Sequence, residues 1–336
     1  MKYAILSKGD NAMNVMYSCD NNYLRHAAAS ITSLLENNKT ENINIFLITN
    51  NIEEKLQQKI KKLVNKYKQN IEFIDINIIC SKLKTNDNFP ISGYARLFVS
   101  QYITVDKILY LDCDTIVLDS IKSLYDTDIS NYYVAGVQDN PAKHLVDIIG
   151  MTENDRYLNS GVLLINLQKW REDNLEIQFN EFIERFNGKV PHHDQGIING
   201  VCKNKILVLN PKYNCMSQLF QHTASEIKRL FNIKNYYAQS ELDDALKNPV
   251  IVHYIAKFFG RPWIKECTHP YLNEYIKYLK LSGFYQEPIE KKEDIGLKIR
   301  KFIYQKTPFL IYYNFEKLLD IKRRYKFNKE YKSINK

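Results

Sequence analysis

Asp112 and Asp114 follow a strand-like run, Lys107-Ile108-Leu109-Tyr110-Leu111, and place two carboxylates one residue apart at its end. In an extended chain residues i and i+2 face the same way, so both should aim at one point beyond the strand while Cys113 faces the other side. Two carboxylates so placed repel each other unless a cation lies between them. A hard divalent ion such as Mg²⁺ or Mn²⁺, itself bound to substrate phosphates, fits that need because oxygen ligands suit these metals. With 19 aspartates in the chain, about one Asp-x-Asp is expected by chance. A second pair, Asp126-Thr127-Asp128, follows Ser123-Leu124-Tyr125 instead of an apolar strand, and reads as turn or helix-capping chemistry.

The elements that would position the first pair are visible as alternating patterns over the first 260 residues. Strands are expected at 14–18, 43–48, 71–75, 107–111, 133–137, 162–165, 206–208 and 250–252. Helical periodicity fills the stretches 24–36 and 52–67, the second with Leu56, Ile60 and Leu63 on one face. This alternation predicts an α/β fold with a mostly parallel sheet, in which ligands gather at the carboxyl ends of the strands. Asp112 sits at one such end and Ser18-Cys19-Asp20 at another. No glycine-rich phosphate loop follows any strand, so bound phosphates would need a metal and cationic side chains instead of a backbone cradle.

Composition narrows the setting. A chain of 336 residues, 45% hydrophobic and 25% charged, is globular. Too few apolar residues precede Lys8 for a secretory leader, and no run approaches the length of a membrane span. Six cysteines lack the paired spacing of a zinc site or disulfide framework. A cytoplasmic location is expected. The net charge of +9 belongs to a tail: residues 291–336 hold 14 Lys/Arg against 5 Asp/Glu, leaving the rest of the chain neutral. A division into a catalytic domain at 1–283 and a basic, aromatic tail at 284–336 follows. The tail sets Phe302, Tyr304, Phe309, Tyr312, Tyr313 and Phe315 among lysines and arginines, and Pro308 should break it into short amphipathic pieces. Such pieces suit an anionic membrane surface or, alternatively, pack their aromatics on the core. A nucleic-acid-binding module would explain the tail, but not the acidic pair.

Several motifs in fixed order resemble glycosyltransferase family 8, over roughly residues 14–270. These are Met16-Tyr17-Ser18-Cys19-Asp20-Asn21-Asn22-Tyr23, Ser92-Gly93-Tyr94-Ala95-Arg96-Leu97, the Asp112/Asp114 pair, Tyr157-Leu158-Asn159-Ser160-Gly161 and His192-His193-Asp194-Gln195. The last is Val252-His253-Tyr254, followed by Gly260-Arg261-Pro262-Trp263. The resemblance implies a GT-A fold, a Rossmann-like nucleotide half merged with an acceptor half, and a retaining hexosyltransferase using UDP-glucose or UDP-galactose with Mn²⁺, or Mg²⁺ in its place. It implies metal ligation by Asp112, Asp114 and His253. Asp20, Asn22, Tyr23, Arg96, Cys113, Asp139, Asn159, Asp194, Gln195, Lys257, Gly260 and Arg261 join the metal pair in UDP-sugar binding, with Gln195, Asp194 and Arg96 closest to the chemistry. Alone, Asp20 and Asp194 read equally as helix caps, and His253 as a structural histidine. Arg261 stands where the family has a lysine for the diphosphate, and Lys257 competes for that role.

The implied reaction breaks the bond from the anomeric carbon to UDP, so stabilising the diphosphate should contribute most. Retention requires either a covalent intermediate or attack from the leaving-group face. Gln195 is a poor nucleophile, which favours the second. The acceptor would be a glycan, on a lipid carrier if the tail sits at the inner face of the membrane. Rival readings are a UDP-sugar binder without catalysis and a metal-dependent nucleotidyltransferase.

Overall fold

A computed structural model describes residues 12–331, apart from 51, 257, 292 and 293. Ten strands form two sheets. They are β1 (Met13–Ser18), β2 (Ile43–Thr49), β3 (Asn70–Asp75), β4 (Lys107–Leu111), β5 (Thr115–Val117), β6 (Val134–Gln138), β7 (Leu158–Asn166), β8 (Ile206–Val208), β9 (Cys215–Met216) and β10 (Ile251–His253). The large sheet has the order β3-β2-β1-β4-β7-β6-β8, parallel except where β7 runs against β4 and β6. The small sheet is β5-β10-β9.

Alternation along the central strands feeds two cores. Val15, Tyr17, Ile45, Leu47, Leu109 and Leu111 enter one cluster, whereas Met16, Phe46, Ile48, Ile108 and Tyr110 enter the other. Period-two pleating sends successive residues to opposite faces, and both faces are covered, so these strands read as continuous apolar runs. Truncating a fully enclosed side chain such as Leu109 to alanine should cost about 2–5 kcal/mol. Helix α1 (Leu24–Glu36) is buried from Ala27 to Leu35 because it lies beneath the helix Leu272–Leu281 as well as against the sheet. His26 meets the Tyr275 hydroxyl, and Asn37 Nδ2 donates to that of Tyr278. Helix α2 (Glu54–Lys66) buries only Ile60, Leu63 and Val64, as its one-sided pattern predicts.

Beyond shifts of one or two residues at element ends, three features differ from the sequence reading. Strand β7 begins at Leu158, four residues before the expected start, because the polar groups of Asn159 and Ser160 find partners inside the protein. Strands β5 and β9 are short and were not signalled by pattern. Pro308 does interrupt the tail, but the pieces are helices Ile295–Lys306 and Phe309–Glu330, the latter of 22 residues. Tyr304 and Tyr312 pack against Phe258 and His222, while Phe302, Leu318 and Tyr325 stay exposed. Among the described residues no helix is long and apolar enough to cross a membrane.

Candidate active site

Topology explains why distant segments meet at one sheet edge. Strands β1 and β4 are parallel, so Ser18 and Leu111 end on the same side. Strand β7 is antiparallel to both β4 and β6, so its start at Leu158–Gly161 lies beside the ends of both: Leu111 pairs with Val162, and Gln138 with Leu158. Beyond Leu111 the chain turns through Asp112-Cys113-Asp114 into β5, and β5 sets Thr115 opposite His253 of β10. The acidic pair therefore converges through a tight turn between two sheets, not through the pleat of a continuing strand. Asp112 N donates to Gly161 O at 2.7 Å, and Thr115 Oγ1 to Asp112 O at 2.7 Å, which fixes that turn.

His253 Nε2 lies 3.2 Å from Asp114 Oδ1 and 3.7 Å from Asp112 Oδ2. One ligand atom from each of these three residues falls within 4.8 Å of the others. On its other side, His253 Nδ1 is 3.0 Å from Asn214 Oδ1, while Asn214 Nδ2 donates to Asn159 Oδ1 at 2.9 Å. With the amide oriented that way, Nδ1 carries the proton and the Nε2 lone pair faces the carboxylates. Burial holds the imidazole below its usual range, and hence neutral. Gly161 leaves the room: a Cβ there would stand 2.2 Å from His253 Cε1 and 2.7 Å from Asp112 Oδ2. Two carboxylates and a neutral imidazole around a gap kept open by glycine fit a divalent cation of the Mn²⁺ type.

Arg96 is buried beneath this group. Its Nη2 reaches Asp112 Oδ1 at 3.0 Å and its Nε lies 3.4 Å from Asp194 Oδ2. Nη1 donates to Ser160 O at 2.7 Å, and the guanidinium covers the Tyr110 ring at 3.9 Å. Burial raises the Asp112 carboxyl, but the Arg96 guanidinium and the Tyr110 hydroxyl outweigh it and hold it below its ordinary value. At Asp194 burial wins, aided by the nearby Asp112, and the carboxyl is raised despite Arg96. Cys113 turns away; its Sγ donates to Ser18 O, and contact with Cys19 plus burial keep it a thiol.

A second network lies beside the first. Asp139 Oδ2 accepts from Asn159 Nδ2 and Gln195 Nε2, each at 3.1 Å. Gln195 Oε1 accepts from Ser160 N at 3.0 Å and Asn159 Nδ2 at 3.2 Å. Asn159 thus joins Asp139 and Gln195 to Asn214 and so to His253. Gln195 and Asp194 open the helix His193–Cys202, entered through left-handed His192. His193 pairs with Asp87 at 2.8 Å and stacks on Phe89.

The remaining expected contacts line the rim. Asp20 Oδ1 accepts from the backbone of Asn22 and Tyr23, capping the entry to α1. Asn22 and Tyr23 are exposed. The Tyr23 ring meets Trp263 edge-on at 5.8 Å, and Trp263 stacks on His26, so the first loop and the Arg261-Pro262-Trp263 loop close on each other. Gly260 has φ +74°, a conformation glycine adopts without strain. Arg261 Nη1 pairs with Asp114 Oδ2 and donates to Tyr254 O at 2.7 Å. Lys257 lies outside the described residues. Sequence reasoning passed over Tyr110, Gly161, Asn214 and Gln218. Only Gly161 lay inside a recognised motif.

A Rossmann-like sheet merged with a second half, carrying an Asp-x-Asp turn opposite a histidine, defines the GT-A class of transferase fold. The profile of Glycosyl transferase family 8 matches residues 14–267, and the chain belongs to that family. It is 29% identical over 94% of its length to a "putative glycosyltransferase" of Haemophilus influenzae, covering 88% of that protein. It is also 29% identical to a lipopolysaccharide 1,2-glucosyltransferase of Escherichia coli, with 87% of this chain and 86% of that one aligned. A crystal structure of an active-site mutant of LgtC matches 81% of this chain and 95% of its own, at 26% identity and a TM-score of 0.65. The protein is a glycosyltransferase.

Proposed function

We propose that the protein transfers a glucosyl or galactosyl unit from UDP to a glycan acceptor, with retention at the anomeric carbon, in synthesis of a cell-surface polysaccharide, capsule or lipooligosaccharide. The convergence of Asp112, Asp114 and His253 supports this most directly. A Mn²⁺ ion held there, or Mg²⁺, would neutralise charge growing on the departing diphosphate. Arg261 would exchange Asp114 for diphosphate oxygens, and Asp20, Asn22 and Tyr23 would address the uridine. Asp194 and Asp139 would accept from sugar hydroxyls. Arg96 is a positioning residue that holds Asp112 and Asp194 in register. The oxygen of Gln195 already accepts two amide protons, which weakens it as a nucleophile and supports same-face attack. In that step the acceptor oxygen bonds to the anomeric carbon, the bond to UDP breaks, and the departing phosphate takes the acceptor's proton.

The experiment is UDP release from a panel of UDP-hexoses with Mn²⁺. Release from one donor, abolished by chelator and by Asp112→Ala/Asp114→Ala, is the expected result; no turnover of any UDP-hexose refutes the reading.

The tail supports peripheral attachment at the inner membrane face. Ile311, Leu318, Ile321 and Tyr325 are exposed and spaced 7, 3 and 4 residues apart on one side of their helix. Ile295, Ile299 and Phe302 form a similar exposed stripe on the preceding one. Neighbouring lysines and arginines would add roughly 1 kcal/mol each near an anionic leaflet. Flotation with phosphatidylglycerol vesicles, lost on Leu318→Ser/Tyr325→Ser, tests it.

A further inference from the structure

A cleft of about 580 Å³ lies between the catalytic core and the two C-terminal helices. The core contributes Gln218 and Phe258, and the helices contribute Tyr312, Lys317 and Arg323. Gln218 connects this cleft to the active site: its Nε2 donates at 3.1 Å to Asp139 Oδ1, the carboxylate whose other oxygen holds Gln195. Gln218 is 3% exposed, and among the described residues its Oε1 has no hydrogen-bond partner. A buried amide oxygen without a donor is unfavourable. That oxygen is itself enclosed, so a sugar hydroxyl at the inner end of the cleft would supply the donor once the amide turns toward it.

The walls are strongly cationic. Among the described lining residues, Lys143, Arg229, Arg300, Lys317, Arg323 and Arg324 face two carboxylates, Glu316 and Asp320. Glu316 is shared by Arg300 at 2.6 Å and Arg323 at 3.4 Å, and Asp320 holds Arg324 at 2.7 Å. Lys143 pairs with Asp147. Among the described residues, neither Arg229 nor Lys317 has an ion pair, and Arg229 rests over the Tyr313 ring at 4.5 Å. The cations converge on one cleft beside the buried rings of Phe258 and Tyr312, and together they draw an anion there. A neutral sugar has no use for them.

We propose that this cleft binds the part of the acceptor remote from the reacting hydroxyl, and that this part carries a phosphate held by Arg229, Lys317 and Arg323. The proposal rests on the transferase reading above and names the chemical class of its acceptor. Gln218 meets the sugar next to the transfer point, Tyr312 and Phe258 offer ring faces, and the cations hold the anion.

The test begins with calorimetric titration of the full chain, without metal or donor, using lactose, lactose 1-phosphate and inorganic phosphate. Lactose 1-phosphate should bind at least about tenfold more tightly than either of the others. Arg229→Gln/Lys317→Gln should erase that preference. Both side chains are exposed; thermal melting checks the fold, and Lys317→Gln alone serves if the pair unfolds. In parallel, donor hydrolysis with Mn²⁺ and UDP-hexose should be unchanged by these substitutions. Equal binding of lactose and lactose 1-phosphate, with donor hydrolysis intact, overturns this proposal and leaves the transferase reading standing. So does binding of inorganic phosphate as tightly as the sugar phosphate, which would mark a bare anion site. If the double substitution abolishes flotation with phosphatidylglycerol vesicles but leaves sugar-phosphate binding unchanged, the cations serve lipid headgroups and the proposal falls. Absence of donor hydrolysis with every UDP-hexose overturns both readings.

Discussion

Replacing Gly161 with alanine tests the geometry of the proposed metal site with a single methyl group. The added Cβ would meet His253 Cε1 at 2.2 Å, whereas ordinary contact begins near 3.4 Å. The imidazole, or the strand beneath it, must therefore retreat by about 1.2 Å in a close-packed setting. Asp112 Oδ2, at 2.7 Å from the same point, blocks one direction of escape. A misplacement of that size is worth roughly a hundredfold in rate, about 2.7 kcal/mol of transition-state stabilisation. Gly161→Ala should thus lower Mn²⁺ affinity, measured by electron paramagnetic resonance titration, and slow UDP release about a hundredfold. Overpacking will also cost stability, about 1–3 kcal/mol, so a matched control is needed. Gly200→Ala supplies it, because its Cβ would meet Phe182 at 2.4 Å, away from the triad. The control should lose comparable stability and keep its metal affinity. If Gly161→Ala binds Mn²⁺ and releases UDP within about threefold of the parent, the assignment of this gap to a metal is wrong.

Asn214→Leu removes the acceptor that fixes the His253 tautomer and should weaken Mn²⁺ binding about 10–100-fold; unchanged affinity would show that the imidazole orients itself without it. The histidines also set an acid limit. Burial, with the charges of Arg25 and Arg261, holds His26 down to about 3, and burial holds His269 to about 4. Below pH 6.5 the unfolded chain takes up protons that these folded groups refuse, so stability is full above that value and falls as pH drops. The loss is about 2 kcal/mol per histidine between pH 6.5 and 5, levelling off near pH 3 and 4 respectively. Urea unfolding across this range should show a shallower slope in His26→Phe, which keeps the stacking on Trp263 but cannot titrate; an identical slope would refute the assignment.

The parts of the site legible in the sequence are those whose neighbours in space are neighbours in the chain. Asp112 and Asp114 stood out because an apolar strand precedes them, and Asp20 because its turn opens α1. His253 alone is an ordinary buried histidine, and family resemblance was needed to connect it to residues some 140 positions earlier. Asn214 gave no signal at all. Its role arises because β9 and β10 lie side by side, with Cys215 beside Val252 and Met216 beside His253, and a two-residue strand leaves no periodicity to read. Arg96 was expected to face the sugar nucleotide; its placement under Asp112 and Asp194 follows from burial on the Tyr110 ring, which residue type does not disclose. The tail packs Tyr304 and Tyr312 on the core while Phe302 stays exposed. Its composition could not show which aromatics pack inward, since that depends on where His222 and Phe258 present a surface.

The pairing of Arg261 with Asp114 has a thermodynamic consequence. Both aspartates already have a countercharge from within the chain, Asp112 from Arg96 and Asp114 from Arg261, so a bare divalent ion reaching Asp114 would have to displace the Arg261 guanidinium and leave it without a carboxylate. An ion arriving with a diphosphate gives that guanidinium new oxygens to hold. Under the proposed function the two ligands would therefore assist each other, and linkage would make the assistance mutual: nucleotide should tighten metal by the same factor as metal tightens nucleotide. On the proposed function, a guanidinium shuttling between carboxylate and phosphate would make the metal a companion of each donor molecule instead of a permanent resident.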